Sequence, residues 1–402
     1  MLTKFVWAIM IAAVASLCQG RDFAAPGPFG HAYRTEDIPG TTETMRNSRI
    51  YYPDSAGTFP QAAVPAPIVA FGHGWMVGIN YYYSYARHLA SWGYVVVLPN
   101  YSNPIIVPEH DKRARLMADA ARWTAARDTV AGDHFYGKLD RWNWGLAGHS
   151  MGGSISMLAM DTLGLGDTLR AAAALASPQS DPATHSAHLL GPKLVMAGGA
   201  DNIAPWRGVR QAFWDSAPAP GTFAVIRGAN HTDFMDAGFL LDIGCGSALG
   251  RETTQMVVRR HLTAFFERYL HGDRSEWNYA YVYGDSIVGH PTMDSVEVRP
   301  DPVGIESGTV ETGTLLSVSP NPFRQLAHVN LVVPESGSLQ VAVFNTEGRR
   351  VRTLAQGRRQ VGILRLKWAG DDDSGRRLPV GAYFIKVSGV GLTDTRTLIL
   401  LD

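Results

Sequence analysis

The sequence predicts an open, mostly parallel α/β sheet with helices on both faces, followed by a small C-terminal antiparallel β-sandwich. Two observations carry this prediction. Short apolar runs alternate with helical patterns as far as Leu270, which is typical of parallel βαβ units. From Leu316 onward the pattern changes to short alternating runs broken by Gly, Asn and Asp, which favours antiparallel strands.

The elements of the predicted sheet are short β-branched or apolar runs, several of them ended by glycine or proline. The predicted strands are Pro67–Gly72, Gly93–Pro99, Trp142–Ala147, Leu169–Ala176 and Lys193–Ala197, with a further apolar run at Phe223–Ile226. The predicted helices are Tyr83–Trp92, Asp111–Arg127, Ser154–Met160 and Glu252–Leu270. In such sheets reactive groups gather at the carboxyl ends of the strands, so we look for the chemistry in the loops that follow them.

The composition excludes some classes of partner. The 402 residues include 36 basic and 36 acidic side chains, and this neutrality argues against nucleic acid or an anionic membrane as a partner. Apolar residues make up 46% and charged residues 18%, as in a globular chain. From Leu315 to Asp402 there are 12 basic and 7 acidic residues, so a mildly basic tail follows a mildly acidic body. The split indicates two joined units.

The first twenty residues predict a signal peptide. Lys4 precedes a 13-residue apolar run, Phe5–Leu17, which is too short to span a bilayer but typical of a signal core. Cleavage after Gly20 fits the small-residue rule, and a lipid anchor at Cys18 is the alternative. No later stretch is apolar enough for a membrane helix. We therefore expect an exported protein, either secreted or at the cell surface, with no membrane span.

Removal of residues 1–20 would leave Cys245 as the one cysteine of the mature chain. No intramolecular disulfide is then possible, and stability must come from a hydrophobic core. Cys245 lies between two glycines and is interpreted as a small buried side chain and not as a nucleophile.

The strongest motif is G-H-S-M-G at residues 148–152, which follows a predicted strand and opens a predicted helix. This is the context of the nucleophile elbow, a turn so tight that the residues two before and two after the serine must be small. Ser150 is therefore the candidate nucleophile, and Gly153 would let the helix pack closely. The alternative is a glycine-rich turn with an incidental serine.

A serine nucleophile needs a base and an acid, which follow it along the chain in this kind of sheet. Asp201 follows the strand Lys193–Ala197, and His231 follows the apolar run Phe223–Ile226, so both lie on loops at one edge. We predict Asp201 as the acid and His231 as the base. The rivals, none of which follows a strand so directly, are Asp181, Asp233, Asp236, His185 and His188.

The predicted oxyanion hole combines two backbone N–H groups. One is that of Met151, after the nucleophile, and the other that of Trp75, in the loop Gly72–Trp75. The Trp75 indole would lie over the acyl site, and His73 is interpreted as a residue that braces the loop.

The further candidates for the substrate cleft are His149, Trp206 and the aromatic run Tyr81–Tyr83. His149 and Trp206 are predicted substrate contacts. Trp206 and Tyr81–Tyr83 could form an aromatic cleft, with core packing as the alternative. We expect no cofactor and no metal.

The segment from Pro67 to Gly272 resembles secreted α/β-hydrolases of the cutinase-like polyester hydrolase and chlorophyllase group. The matching pieces are Gly72–Trp75, Leu89–Val97, Asp111–Arg115, Gly148–Gly153, Asp201–Pro205 and Gly228–His231. The resemblance implies an α/β-hydrolase fold and the same site, with Ser150 as nucleophile, Asp201 as acid, His231 as base, and the amides of Trp75 and Met151 as oxyanion hole.

The chain departs from that group at two points. Polyester hydrolases of this type usually have a tryptophan after the proline where this chain has Ser177-Pro178-Gln179. They also usually carry a C-terminal disulfide, which one mature cysteine cannot form. Both departures leave activity on aromatic polyesters open.

The tail resembles the FlgD-type immunoglobulin-like domain and type IX sorting tails. The matching pieces are Ser319–Phe323, Phe344–Arg349, Trp368–Gly375 and Gly381–Phe384. The resemblance implies contact with secretion machinery or the cell surface. Asp371–Asp373 suggests calcium, but a solvated turn is the favoured interpretation.

The predicted domains are the signal peptide at 1–20, a catalytic domain at 21–280, an extension and linker at 281–314 and the sandwich at 315–402. We expect a monomeric serine hydrolase acting on small or polymeric carboxylic esters. A peptidase or thioesterase with the same triad is one alternative, and an inactive surface-binding protein is another.

Overall fold

The computed structural model describes residues 22–102, 109–163, 168–238, 247–301, 316–319, 323–324, 326–333, 337–359, 362–389 and 392–401. The chain divides into two units, Met1–Gly304 and Ile305–Asp402. The predicted signal peptide, Cys245 and the end of the predicted linker lie outside the described residues.

One sheet organises the first unit. Its strands are β1 (Gly30–Pro39), β2 (Thr44–Asp54), β3 (Ala66–Gly72), β4 (Val95–Leu98), β5 (Leu139–His149), β6 (Leu169–Leu175), β7 (Lys193–Gly198), β8 (Gly221–Ile226) and β9 (Met293–Arg299). Their order is β1-β2-β4-β3-β5-β6-β7-β8-β9. The run from β4 to β8 is parallel, while β1, β2 and β9 pair antiparallel at the edges.

The helices are α1 (Tyr83–Ser91), α2 (His110–Ala126), α3 (Met151–Thr162), α4 (Trp206–Phe213), α5 (Arg251–Tyr269) and α6 (Glu276–Val282). Side chains of α1, α5 and α6 share one hydrophobic core, and those of α2, α3 and α4 share a second. Val69 and Phe71 of β3 enter the first core, while Ile68 and Ala70 enter the second. Successive side chains of a strand point to opposite faces, so the two cores lie on the two faces of the sheet. No helix in the described part of the chain is long and apolar enough to cross a membrane.

This architecture confirms the predicted fold class, and the predicted strands and helices recur with small shifts of their ends. Three strands were not predicted, and two of them, β1 and β9, form the edges of the sheet. β1 and β2 precede the first predicted strand, and β9 falls within 281–314, the predicted extension and linker. Only Met293 of β9 is buried, because an edge strand has one covered side and its sequence carries a weak apolar signal. The segment nonetheless pairs along the whole of β8, from Gly221 to Ile226.

The second unit consists of two antiparallel sheets. Its strands are β10 (Leu316–Ser319), β11 (Ala327–Val333), β12 (Gly337–Phe344), β13 (Arg350–Arg359), β14 (Gly362–Trp368), β15 (Gly381–Gly389) and β16 (Leu392–Leu400). The sheets have the orders β10-β11-β14 and β13-β12-β15-β16. Trp368, Ile385 and Leu398 are among the residues of their shared core, as the predicted sandwich requires.

Carboxylates of the acidic turn Asp371–Asp373 accept hydrogen bonds from residues of the same unit. Asp372 accepts hydrogen bonds from Ser374 and Arg376, and these lower the pKa of its carboxyl group. Asp373 accepts from the Thr353 amide at 2.8 Å. Among the described residues no cluster of three or more His, Cys, Asp or Glu side chains has the arrangement of a metal site.

Candidate active site

Ser150 lies in the sharp turn between β5 and α3. Its φ is 54° and its ψ is −124°, a conformation that a residue with a Cβ adopts at an energetic cost. The Ser150 amide donates to the Leu175 carbonyl at 2.9 Å, which ties the turn to β6. The turn therefore holds the serine at the carboxyl edge of the sheet.

The glycines around Ser150 are required by close backbone contacts. A Cβ on Gly148 would lie 2.4 Å from the carbonyl carbon of Gly152, and one on Gly152 would lie 2.0 Å from the Gly72 oxygen. A Cβ on Gly153 would lie 2.0 Å from the Ser177 hydroxyl. Since real Cβ atoms do not approach this closely, any larger residue would push the turn away from β3 and from the loop after β6.

Ser150, His231 and Asp201 form a continuous hydrogen-bonded chain. His231 Nε2 is 3.0 Å from Ser150 Oγ, and His231 Nδ1 is 2.8 Å from Asp201 Oδ2. The other Asp201 oxygen accepts the amides of Ile203 and Ala204, each at 2.8 Å. The structure thus brings together the three side chains that the sequence placed on separate loops.

The loop that carries His231 is fixed by a capping box. Asn230 Oδ1 accepts the Asp233 amide at 2.9 Å, and the Asp233 carboxylate accepts the Asn230 amide at 2.9 Å. Asp236, further along, accepts hydrogen bonds from the amide and hydroxyl of Ser84 at the start of α1. Two of the rival acids are therefore engaged in holding this loop.

The remaining rivals contact residues outside the Ser150, His231 and Asp201 chain. His188 Nδ1 is 3.0 Å from Asp161 Oδ1, and the His185 amide donates to the other oxygen of the same carboxylate. Asp181 is exposed, and its amide donates to His110 Nδ1 at 2.8 Å.

The loop Gly72–Trp75 follows β3 and lies beside the nucleophile. A Cβ built on Gly74 would be 3.5 Å from the Ser150 Cβ. His73 Nδ1 is 2.9 Å from the Gly74 oxygen, and its ring stacks on Tyr101, whose hydroxyl donates to the His73 carbonyl. Burial lowers the pKa of His73 to about 4, so this imidazole is neutral at physiological pH. Met151, the other predicted oxyanion residue, is the first residue of α3.

Of the predicted substrate contacts, Trp75 is 41% exposed and Trp206 is partly buried against the second core. His149, also predicted as a substrate contact, is only 1% exposed. It ends β5, and its ring lies 4.7 Å from that of His231 and stacks on Phe234. The residue before the nucleophile therefore packs behind the base, because alternation along β5 turns it away from the side that Ser150 faces.

Tyr82 is a residue of the site that sequence reasoning did not single out. It was predicted only as part of an aromatic run, Tyr81–Tyr83. Its buried hydroxyl accepts the Gly74 amide at 3.1 Å and lies 2.9 Å from His149 Nδ1. No local motif marks such a residue, because its partners are 8 and 67 positions away.

A groove of about 440 Å³ opens beside the Asp201 loop. Its apolar wall includes Ile203, Pro205 and Val209, and Pro178 and Gln179 lie on the side formed by the loop after β6. The Ser154 hydroxyl at the start of α3 donates to the Pro178 carbonyl at 2.5 Å, so the elbow fixes that loop. The lining of the groove is mostly apolar and includes the side-chain amide of Gln179.

Comparison with known families agrees with the fold. The family described as PET hydrolase-like matches residues 22–245, more than half of the chain. The chain belongs to the PET hydrolase-like family. The resemblance to polyester hydrolases is thereby confirmed, and this family member is a hydrolase of the ester-cleaving kind. The FlgD Ig-like domain matches residues 327–391, as the resemblance of the tail predicts. No curated protein matches the chain.

Proposed function

We propose that the protein is a secreted serine hydrolase that cleaves carboxylic esters, small or polymeric, through an acyl-enzyme. Ser150 is the nucleophile, His231 the general base and Asp201 the acid that orients it. The observation that carries the proposal is the hydrogen-bonded chain from Asp201 through His231 to Ser150, with contacts of 2.8 and 3.0 Å.

Acylation begins when Ser150 Oγ attacks the ester carbonyl and His231 Nε2 takes the hydroxyl proton. The Asp201 carboxylate holds Nδ1–H and stabilises the imidazolium that forms. His231 then gives its proton to the leaving alcohol. In the second half, His231 takes a proton from water, the hydroxide attacks the acyl-enzyme, and the proton returns to Ser150 as the acid is released.

The negative charge on the carbonyl oxygen requires donors that are already in place. We assign this role to the backbone N–H groups of Met151 and Trp75. Two observations support the assignment. Met151 begins the 12-residue helix α3, whose N-terminus favours negative charge. Gly74 places the loop Gly72–Trp75 against Ser150.

The substrate class follows from the groove beside Asp201 and from the family. An apolar wall at Ile203 and Val209 suits the hydrocarbon part of an acyl or alcohol group. Among acyl transfers, the PET hydrolase-like family favours oxygen esters over amides and thioesters. An inactive binding protein would have no need of an aligned triad.

We also propose that residues 1–20 direct export and that the FlgD Ig-like region serves sorting or surface attachment. The support is the apolar run Phe5–Leu17 and the family match over residues 327–391. Mass determination of the N-terminus of protein recovered from an expressing culture tests the first point; cleavage after Gly20 is expected, and an intact Met1 would contradict it.

The proposed activity is tested with p-nitrophenyl esters from acetate to palmitate, a p-nitrophenyl thioester analogue and a peptide anilide. We expect turnover of the oxygen esters that Ser150→Ala abolishes. Hydrolysis of the anilide or the thioester in preference to every ester would contradict the proposed substrate class.

A further inference from the structure

Tyr82 occupies a fully buried position between the loop after β3 and the nucleophile elbow. It ends a short 3-10 helix, Ile79–Tyr82, just before α1. Its ring centroid lies 5.5 Å from that of Phe71 and 5.7 Å from that of His149. These ring contacts do not depend on the hydroxyl group, so a phenylalanine at this position would keep them.

The hydroxyl joins two parts of the site. Its oxygen accepts the Gly74 N–H at 3.1 Å, and it lies 2.9 Å from His149 Nδ1. A hydroxyl has one hydrogen. Because Gly74 already donates to the oxygen, the hydroxyl hydrogen is available for His149 Nδ1, and this donation places the His149 proton on Nε2.

This arrangement keeps His149 neutral beside the base. The two imidazole rings are 4.7 Å apart, so a charged His149 would repel the imidazolium that His231 must become. Burial, and then the proximity of His231, lower the pKa of His149 well below its ordinary value. Phe234 stacks on the His149 ring with the two centroids 5.8 Å apart, and this contact helps to hold the neutral ring next to His231.

The hydrogen bond from the Gly74 N–H to the Tyr82 hydroxyl affects the proposed oxyanion hole. A Cβ on Gly74 would lie 3.0 Å from the Tyr82 hydroxyl and 3.5 Å from the Ser150 Cβ, so Gly74 sits between the tyrosine and the nucleophile. The Trp75 N–H follows directly along the chain. A shift of the Gly74 peptide would therefore move that donor relative to Ser150.

We propose that Tyr82 is a positioning residue, whose hydroxyl ties the loop Gly72–Trp75 to His149 and so aligns the oxyanion donors and His231 around Ser150. The inference rests on the proposed function, in which these groups carry the reaction. Tyr82 acts through Gly74 and His149 and needs no contact with the substrate.

The test compares Tyr82→Phe with Tyr94→Phe. Tyr94 is also fully buried, and its hydroxyl donates to Glu267 at 2.8 Å near the opposite edge of the sheet. Both variants lose one buried hydroxyl, at a stability cost of the same order. For Tyr82→Phe we expect kcat to fall by about 10- to 100-fold with KM within about twofold, because a small misplacement of catalytic groups costs rate more than binding. Tyr94→Phe should keep kcat within about twofold.

A fall in kcat no larger than that of Tyr94→Phe, in a Tyr82→Phe protein that melts as a folded chain, would overturn the proposal. His149→Asn supplies a second test. If the hydroxyl acts partly through His149, the double variant should lose less kcat than the product of the two single losses; fully multiplicative losses would contradict the link.

A second readout separates this proposal from the proposed function. A p-nitrophenyl alkylphosphonate releases nitrophenol once per reactive serine and needs no turnover of an ester. Slower labelling of Tyr82→Phe than of Tyr94→Phe is expected even if the ester class is misassigned. Equal labelling rates would overturn the role of Tyr82, while absence of labelling in the parent protein would overturn both proposals.

Discussion

At the scale of single residues, Asp201 links His231, the proposed base, to the loop that follows β7. One oxygen meets His231 Nδ1, and the other accepts the amides of Ile203 and Ala204. The loop would keep its shape with an asparagine at this position, because the side-chain oxygen still accepts both amides. A substitution at Asp201 can therefore change the orientation of His231 without changing the stability of the loop.

Asp201→Asn should lower kcat by about 10³- to 10⁴-fold, because the amide NH₂ facing Nδ1 forces His231 into the wrong tautomer. The melting temperature should change little. Steady-state hydrolysis of p-nitrophenyl butyrate checks the loss, with Asp181→Asn, at an exposed rival acid, as the control that retains full activity. Comparable activity of the two variants would contradict the role of Asp201.

At the scale of elements, the contact between β3 and the start of α3 holds the loop Gly72–Trp75 against the turn at Ser150. Gly152→Ala would place a Cβ 2.0 Å from the Gly72 oxygen, and that backbone cannot yield cheaply. We expect a loss of about 1–3 kcal/mol in the free energy of unfolding, together with loss of activity. Urea unfolding measures the change.

Gly208→Ala is the matched control for the elbow. Gly208 lies in α4, and a Cβ there meets no atom within 4 Å. The substitution should stabilise the protein by up to about 1 kcal/mol, since alanine is the better helix former. A Gly152→Ala protein as stable as Gly208→Ala would contradict the packing argument.

β9 and the residues after it complete the first unit. Asp301 forms ion pairs with Arg268 and Arg274 and accepts the Tyr269 hydroxyl, so the chain is anchored two residues beyond β9. A chain ending at residue 280 should be insoluble or unfolded because it exposes β8 as an edge, whereas one ending at Gly304 should fold. Soluble yield and melting temperature compare them; equal stability would show that the sheet does not need β9.

The sequence predicts features that depend on neighbouring residues, and it does not predict features that depend on residues far apart in the chain. The elbow at Ser150 and the strands around it follow from short motifs and buried runs, whose meaning is local. Contacts such as Tyr82 to His149 arise only when the fold brings distant segments together, so no pattern announces them. The burial of His149 could not be predicted for the same reason: the motif fixes its neighbour, but the direction of the His149 side chain depends on the strand that it ends.

At the scale of the whole molecule, buried histidines make stability depend on pH. Burial lowers the pKa of His73, His88 and His261 to about 4 in the folded chain. In the unfolded chain their pKa is about 6.5. Protonation therefore favours the unfolded state as pH falls from about 6.5 to about 4, and the penalty is constant below that range.

We expect the free energy of unfolding to fall across this window by about 1.4 kcal/mol per pH unit for each such histidine. Urea titrations at pH 7 and pH 5 measure the slope. His261→Gln should reduce it, while His185→Gln, at an exposed position, should leave it unchanged. A stability that is flat between these pH values would contradict the burial of neutral imidazoles.

The central claim is that Ser150 is an activated nucleophile, and covalent labelling tests it most directly. The protein is treated with a p-nitrophenyl alkylphosphonate, and the adduct is located by mass spectrometry of its peptides. We predict one equivalent of nitrophenol and one adduct, on Ser150, with the rate reduced by at least about 10³-fold in His231→Ala. An adduct on another residue, or labelling that does not depend on His231, would contradict the account.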